Sequence, residues 1–190
     1  STPFRLYKHF AHEGGAATPF FLHWPARIKP HEGWYQDAAQ LIDLMPTILD
    51  YLGLDVLSPE VEESLPGRSF VPVLKGQQFE DSLSVVVLDE YGPTRMIRTK
   101  SLKYIHRYPD GPHEFYDLAN DPNEVTNAID DRAFASIIRN MQAQLQKWFD
   151  RYAEPERDGS KQAVKGRGQI DIVGGDAEAF AQDLTFMRDL

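Results

Sequence analysis

The chain has 190 residues, 42% hydrophobic and 12% aromatic, which suits one or two folded domains and excludes a disordered polymer. Its formal net charge of -9 leaves no basic field for nucleic acid or anionic lipid, and the lack of cysteine excludes disulfides, thiol catalysis and cysteine-ligated zinc. No apolar run approaches the roughly 20 residues of a membrane span, and the opening Ser1-Thr2-Pro3-Phe4 reads as a processed end or a cut rather than a leader.

After a polar, aromatic opening, Gly14-Gly15 allows backbone conformations closed to other residues. Thr18 to Pro25 is a short apolar run bounded by prolines, and a buried strand fits it best. From Asp43 a helix is expected: Asp43 as its cap, Pro46 in the first turn, Gly53 as its terminator, and Leu44, Ile48, Leu49 and Leu52 as a packing face. An acidic connection follows, and residues 70–74 add a helical turn. Four strands are then expected over 83–88, 94–99, 102–107 and 114–118, joined by short Gly/Pro turns into an antiparallel meander. A long amphipathic helix over 131–152 presents Phe134, Ile137, Ile138, Met141, Leu145, Trp148, Phe149 and Tyr152 in one stripe for packing on that meander. Residues 177–187 read as a final docking helix. The order predicts the end of an α/β domain over 1–78, a small α+β unit of four antiparallel strands and a long helix over 79–152, and an extended tail over 153–190.

Lys8 stands five positions before Glu13-Gly14-Gly15, and Trp24-Pro25 follows. Together they resemble a motif of the sulfatase family. Three further stretches match in order: Asp43-Leu44-Met45-Pro46-Thr47, then Gly67-Arg68-Ser69-Phe70-Val71-Pro72-Val73-Leu74, then Phe115-Tyr116-Asp117-Leu118 with Asp121-Pro122 and Glu124. One departure is Ala17, where many members carry arginine. The resemblance implies the trailing part of an alkaline-phosphatase-like α/β sandwich and a smaller C-terminal unit. It also implies that a formylglycine nucleophile and calcium ligands lie upstream of Lys8, so neither cofactor is expected within this chain, and the isolated chain is expected to be inactive.

The resemblance places Lys8 against sulfate, where a compact ammonium offsets charge developing during S–O cleavage. His12 is a candidate for touching substrate, and His9 a weaker one. Glu13 is expected to be structural, securing amides of its own turn. Arg95, Arg98 and His106, with Lys103 and Arg107, are candidates for gripping an anionic sugar or for a solvated strand face. Tyr91 and Trp34 are stacking or packing residues. Ser64-Leu65-Pro66-Gly67-Arg68 imitates the nucleophile motif, but it follows the lysine instead of preceding it. Asp89-Glu90, Asp117 with Asp121, and Asp130-Asp131 offer oxygen ligands without calcium-loop spacing; Asp130-Asp131 reads as a helix cap, and no metal site is expected here.

The leading reading is a sulfuric-ester hydrolase acting, when complete, on a sulfated small molecule or glycan. A phosphate or phosphonate hydrolase of the same superfamily and a non-catalytic binding fragment are the alternatives. Uncovered apolar surface around 18–25 and 41–53 predicts self-association; the family is commonly exported, but the compartment is not readable.

Overall fold

The computed structural model describes residues 3–6, 10–29, 33, 35, 39–54, 65–77, 85–89, 94–108, 110–158 and 160. Lys8, His9, Trp34, Ser64, Glu90, Tyr91 and the expected helix at 177–187 lie outside them. The chain divides into two compact units, one formed by Ser1–Thr18 with Val86–Leu190 and the other by Pro19–Val85.

In the first unit, β2 (Thr94–Arg98), β3 (Leu102–Arg107) and β4 (Glu114–Asp117) follow β1 (Val85–Asp89). The β2–β3 pair is antiparallel with Arg95 opposite His106 and Ile97 opposite Tyr104, and β3–β4 sets Tyr104 opposite Phe115. Alternate residues leave opposite faces of a sheet. Ile97, Tyr104 and Phe115 therefore share one face, where they pack with Met141, Leu145 and Phe149 of the long helix Ala135–Tyr152. Phe134, Ile138 and Trp148 of the expected stripe pack beside them, whereas Ile137, at 37%, is exposed. Asp131 accepts the Ala133 N–H at the helix entry, as a capping aspartate should. The other face carries Met96, Ile105 and Tyr116, which bury Ala11 of the N-terminal stretch.

In the second unit, α2 (Leu44–Leu52) ends at Gly53 with φ of 65°, the left-handed conformation glycine supplies without strain. α3 (Val71–Leu74) is one turn; α1 (Glu13–Ala16) belongs to the first unit, and the long helix is α4. Asp43 does not cap α2 with its side chain. It sits in a 3-10 turn, Leu41–Asp43, and its carboxylate accepts the Gln40 and Arg68 amides at 2.8 and 2.9 Å. The strand expected over residues 18–25 is not formed. That run is irregular and exposed, with Phe21 at 74%. Apolar content suggests a strand, but a strand exists only where a neighbour accepts its hydrogen bonds, and among the described residues none pairs with it. Ile48 and Leu52 of the expected packing face of α2 are exposed as well.

At the helix-facing end of β3, His106 stacks on His113 with centroids 4.2 Å apart and shares a 2.7 Å hydrogen bond with the Tyr104 hydroxyl. Burial, with His113 and Arg95 nearby, lowers His106 to about 4. Because that value lies below the ordinary 6.5, the unfolded chain takes the proton first as pH falls. The stability this neutral ring contributes is complete above about 6.5 and declines towards pH 4. Urea unfolding is expected to show a loss on the order of 2 kcal/mol across that window, after allowance for partial exposure. His106→Gln should remove most of the slope; an unchanged slope would refute the assignment.

Candidate functional site

The Lys8 stretch is held at both ends. Gly14 donates its N–H to the Arg5 carbonyl at 2.9 Å, closing a loop around residues 6–13. A Cβ on Gly14 would lie 2.1 Å from the Leu6 carbonyl oxygen and 2.3 Å from that of Arg5, so this closure admits only glycine. The second position of Glu13-Gly14-Gly15 is thereby explained by close backbone approach.

The loop is fastened to the sheet by side chains. Arg5 donates to the Tyr116 hydroxyl at 3.0 Å and to the Glu124 carbonyl. One oxygen of the Glu124 carboxylate accepts the Glu13 N–H at 2.8 Å, and the other accepts the Lys103 ammonium at 2.7 Å. Lys103 also meets Glu13 at 2.7 Å, and Arg98 forms two hydrogen bonds to the same carboxylate, at 2.8 and 3.1 Å. Lys103 and Glu124 are each 0% exposed, so the alternating charges compensate one another where water cannot. Burial would raise Glu13, but Arg98 and Lys103 outweigh it and hold its carboxyl below the ordinary value.

A second chain of polar contacts runs alongside. His12 meets Glu114 through Nε2 at 2.7 Å, Arg107 reaches the other Glu114 oxygen at 2.7 Å, and the Tyr116 hydroxyl donates to Glu114 at 2.6 Å. Burial again opposes ionisation of Glu114, yet these donors bring it to about 2. His12 is itself 2% exposed. Its Nδ1 is buried with no hydrogen-bond partner among the described residues.

The sequence candidates therefore fall on two faces. His12 and Arg98 lie on the face where Met96, Ile105 and Tyr116 bury Ala11. Arg95 and His106, paired across β2 and β3, lie on the helix face. There Arg95 is bonded to Asp158 and Ser160 and sits 3.7 Å from the centroid of the Phe149 ring. The separation follows from the parity of positions 95 and 98 within one strand. The Glu13 carboxylate, expected to secure amides of its own turn, meets two cations, Arg98 and Lys103, while the Glu13 amide is taken by Glu124. Glu124 stands in the sequence only as part of a motif, and no local pattern announces its partner. Asp121 prepares it: its carboxylate accepts the Val125 and Thr126 amides at 3.1 and 2.8 Å, and Glu124 follows at φ of 55°.

Residues 4–151 match the model of the N-sulphoglucosamine sulphohydrolase C-terminal family. An arylsulfatase of Clostridium perfringens is 26% identical over 156 residues, covering 81% of this chain and 32% of that protein. An N-acetylglucosamine-6-O-sulfatase of Bacteroides thetaiotaomicron is 27% identical over 177 residues, covering 85% and 30%. This chain spans about a third of the length of the curated relatives it matches. Among solved structures, one from a glycosaminoglycan-metabolism locus of Bacteroides thetaiotaomicron superposes with a TM-score of 0.62 at 23% identity, covering 76% of this chain and 31% of that one. The yidJ protein of Bacteroides fragilis gives 0.52 at 23%, covering 73% and 30%. Both likenesses support the α/β fold. The ordered motifs, the loop closed by Gly14 and the family match agree, and the chain belongs to the N-sulphoglucosamine sulphohydrolase C-terminal family, a C-terminal sulfatase domain of the alkaline-phosphatase-like superfamily.

Proposed function

We propose that this chain is the trailing portion of a sulfuric-ester hydrolase and that Lys8 gives its ammonium to the sulfate group. The observation that carries the reading is the holding of the residues that flank Lys8 in sequence: Gly14 bonds the Arg5 carbonyl, Arg5 bonds Tyr116, and Glu13 joins a buried ionic cluster, which suits a charge that must be presented in one place. A lysine there acts by electrostatics, placing positive charge where sulfate oxygens gain negative charge in the transition state. His12 and Arg98 are assigned to supporting the loop, since Glu114 and Glu13 engage them. Arg95 and His106 are assigned to the helix face and not to the same site.

Formylglycine chemistry and calcium are proposed for the complete enzyme, from residues outside this chain. Among the described residues no three His, Asp or Glu side chains converge to hold an ion, so those residues do not fit a calcium site. The organisation proposed is the end of an α/β sandwich domain up to about residue 78, with residues 3–16 laid on the following sheet. The four-stranded form of that sheet is supported by the strand order β1-β2-β3-β4.

In the parent enzyme, Lys8→Ala should lower kcat/KM for an aryl sulfate by roughly 100-fold or more, while the isolated 190 residues should show no turnover. Wild-type activity on aryl phosphate with none on aryl sulfate would favour the phosphohydrolase alternative instead. The exposed Phe20, Phe21, Leu22, Trp24, Ile48 and Leu52 are surfaces on which further polypeptide of a sulfatase-length chain packs. Alone, the chain should bind a hydrophobic dye and scatter above its monomer mass. A monodisperse, dye-negative monomer would count against this packing.

A further inference from the structure

Glu124 is fully buried, lies 111 positions from Glu13, and holds the N-terminal stretch through two of its polar atoms, one carboxylate oxygen and its backbone carbonyl. Its Oε2 accepts the Glu13 amide, its Oε1 accepts Lys103, and its own carbonyl accepts Arg5. The two loop contacts fall on residue 5 and residue 13, either side of Lys8, and residue 5 is also where Gly14 closes the loop. Its φ of 55° is uncommon for a residue with a side chain, and the turn capped by Asp121 sustains it. A carboxylate needed only to neutralise Lys103 would have no need to grasp a backbone amide on one side of the loop while its carbonyl grasps the other.

We infer that Glu124 is a positioning residue for sulfate recognition: it fixes Arg5 and Glu13, which flank Lys8 in sequence, and acts on the lysine through them. The inference rests on the reading of Lys8 as the sulfate contact. Glu124 touches no substrate in this account and acts through the loop alone.

A double-mutant cycle in the parent enzyme tests this, with an aryl sulfate as the probe. Glu124→Gln retains one amide acceptor and should lower kcat/KM roughly tenfold; Glu124→Ala should lower it roughly 100-fold, as a misplacement near 1 Å does. On a Lys8→Ala background, Glu124→Ala should add less than about threefold, because the group it positions is gone. Met141→Ala, in the helix-face core, supplies a variant of matched thermal destabilisation that should keep wild-type kcat and KM. Amide exchange should accelerate at residues 10–14 in the Glu124 variants and not in Met141→Ala. Additive losses from Lys8→Ala and Glu124→Ala, or Glu124 kinetics matching those of Met141→Ala, would overturn the inference while leaving the sulfatase reading intact. An unchanged kcat/KM in Lys8→Ala would instead overturn the Lys8 reading on which it depends. Should Glu124→Ala not fold, Arg5→Met removes the other pin and runs the same cycle, with the same outcomes deciding.

Discussion

Replacing Lys103 by methionine is expected to lower the stability of the first unit by roughly 3–5 kcal/mol, the scale set by removing one partner of a buried ionic cluster. Lys103 is 0% exposed and stands between the carboxylates of Glu13 and Glu124. Methionine fills much of the same volume, so the effect isolates the charge. Two carboxylates would then face each other with Arg98 to oppose them, and Arg98 bonds the Glu13 carboxylate. The melting temperature should fall by roughly 10 °C. A pH signature should accompany it. Wild-type Glu13 is held below its ordinary 4.5, so its contribution is complete above that value and is lost as pH falls below it. With one of its two cations gone, that slope should become shallower in the variant. A melting temperature within 2 °C of wild type, at about pH 7, would show that the cluster is not the brace described.

Gly67→Ala is the second large effect, and it acts in the other unit. A Cβ at Gly67 would stand 2.1 Å from the Ile42 carbonyl oxygen, with backbone on both sides of the contact. Neither side has a flexible tip to swing away, so the loop must lift from the start of α2. With it go the Arg68 amide bond to Asp43 at 2.9 Å, the Phe70 amide bond to Thr47 at 2.9 Å, and the Ser69 hydroxyl bond to Asp50. A loss of at least about 3 kcal/mol follows from that many newly unsatisfied groups. Gly76 is the control: at φ of 83° with nothing within 4 Å, its replacement by alanine meets only backbone strain, about 1 kcal/mol. Comparing urea midpoints, and amide exchange at Arg68 and Phe70, separates the two. Equal midpoints would disprove the contact argument.

The elements that sequence predicts well here are those whose stabilising partners share one segment or one face. The stripe from Phe134 to Phe149 encodes α4 because each apolar residue lies one turn from the next. The strands 94–98 and 102–107 are equally legible, since a short turn fixes their pairing. Residues 18–25 misled because apolar content reports a wish to be buried without saying whether a neighbouring strand is present. Local spacing makes Asp43 a helix cap, but its carboxylate is shared between the Gln40 amide and the Arg68 amide, 25 positions away. The same limit applies to the site. Motif spacing singled out Lys8 and Glu13-Gly14-Gly15, yet the meeting of Glu13 with Glu124 depends on a fold that brings distant residues together. Face parity is legible in the sequence: positions 95 and 98 of one strand fall on opposite sides of the sheet.

The Arg5 to Tyr116 contact spans 111 positions, and this has a consequence for how the molecule is made. The meander and its helix are assembled from near neighbours and can form quickly, whereas joining residue 5 to residue 116 must overcome the entropy of a long intervening coil. The N-terminal limb is therefore a late arrival in folding. On the ribosome, the lysine would leave the exit tunnel well before the turn at Glu124 that fastens it. Nascent chains halted short of that turn should leave the lysine stretch open to protease, and extending synthesis beyond it should close that window.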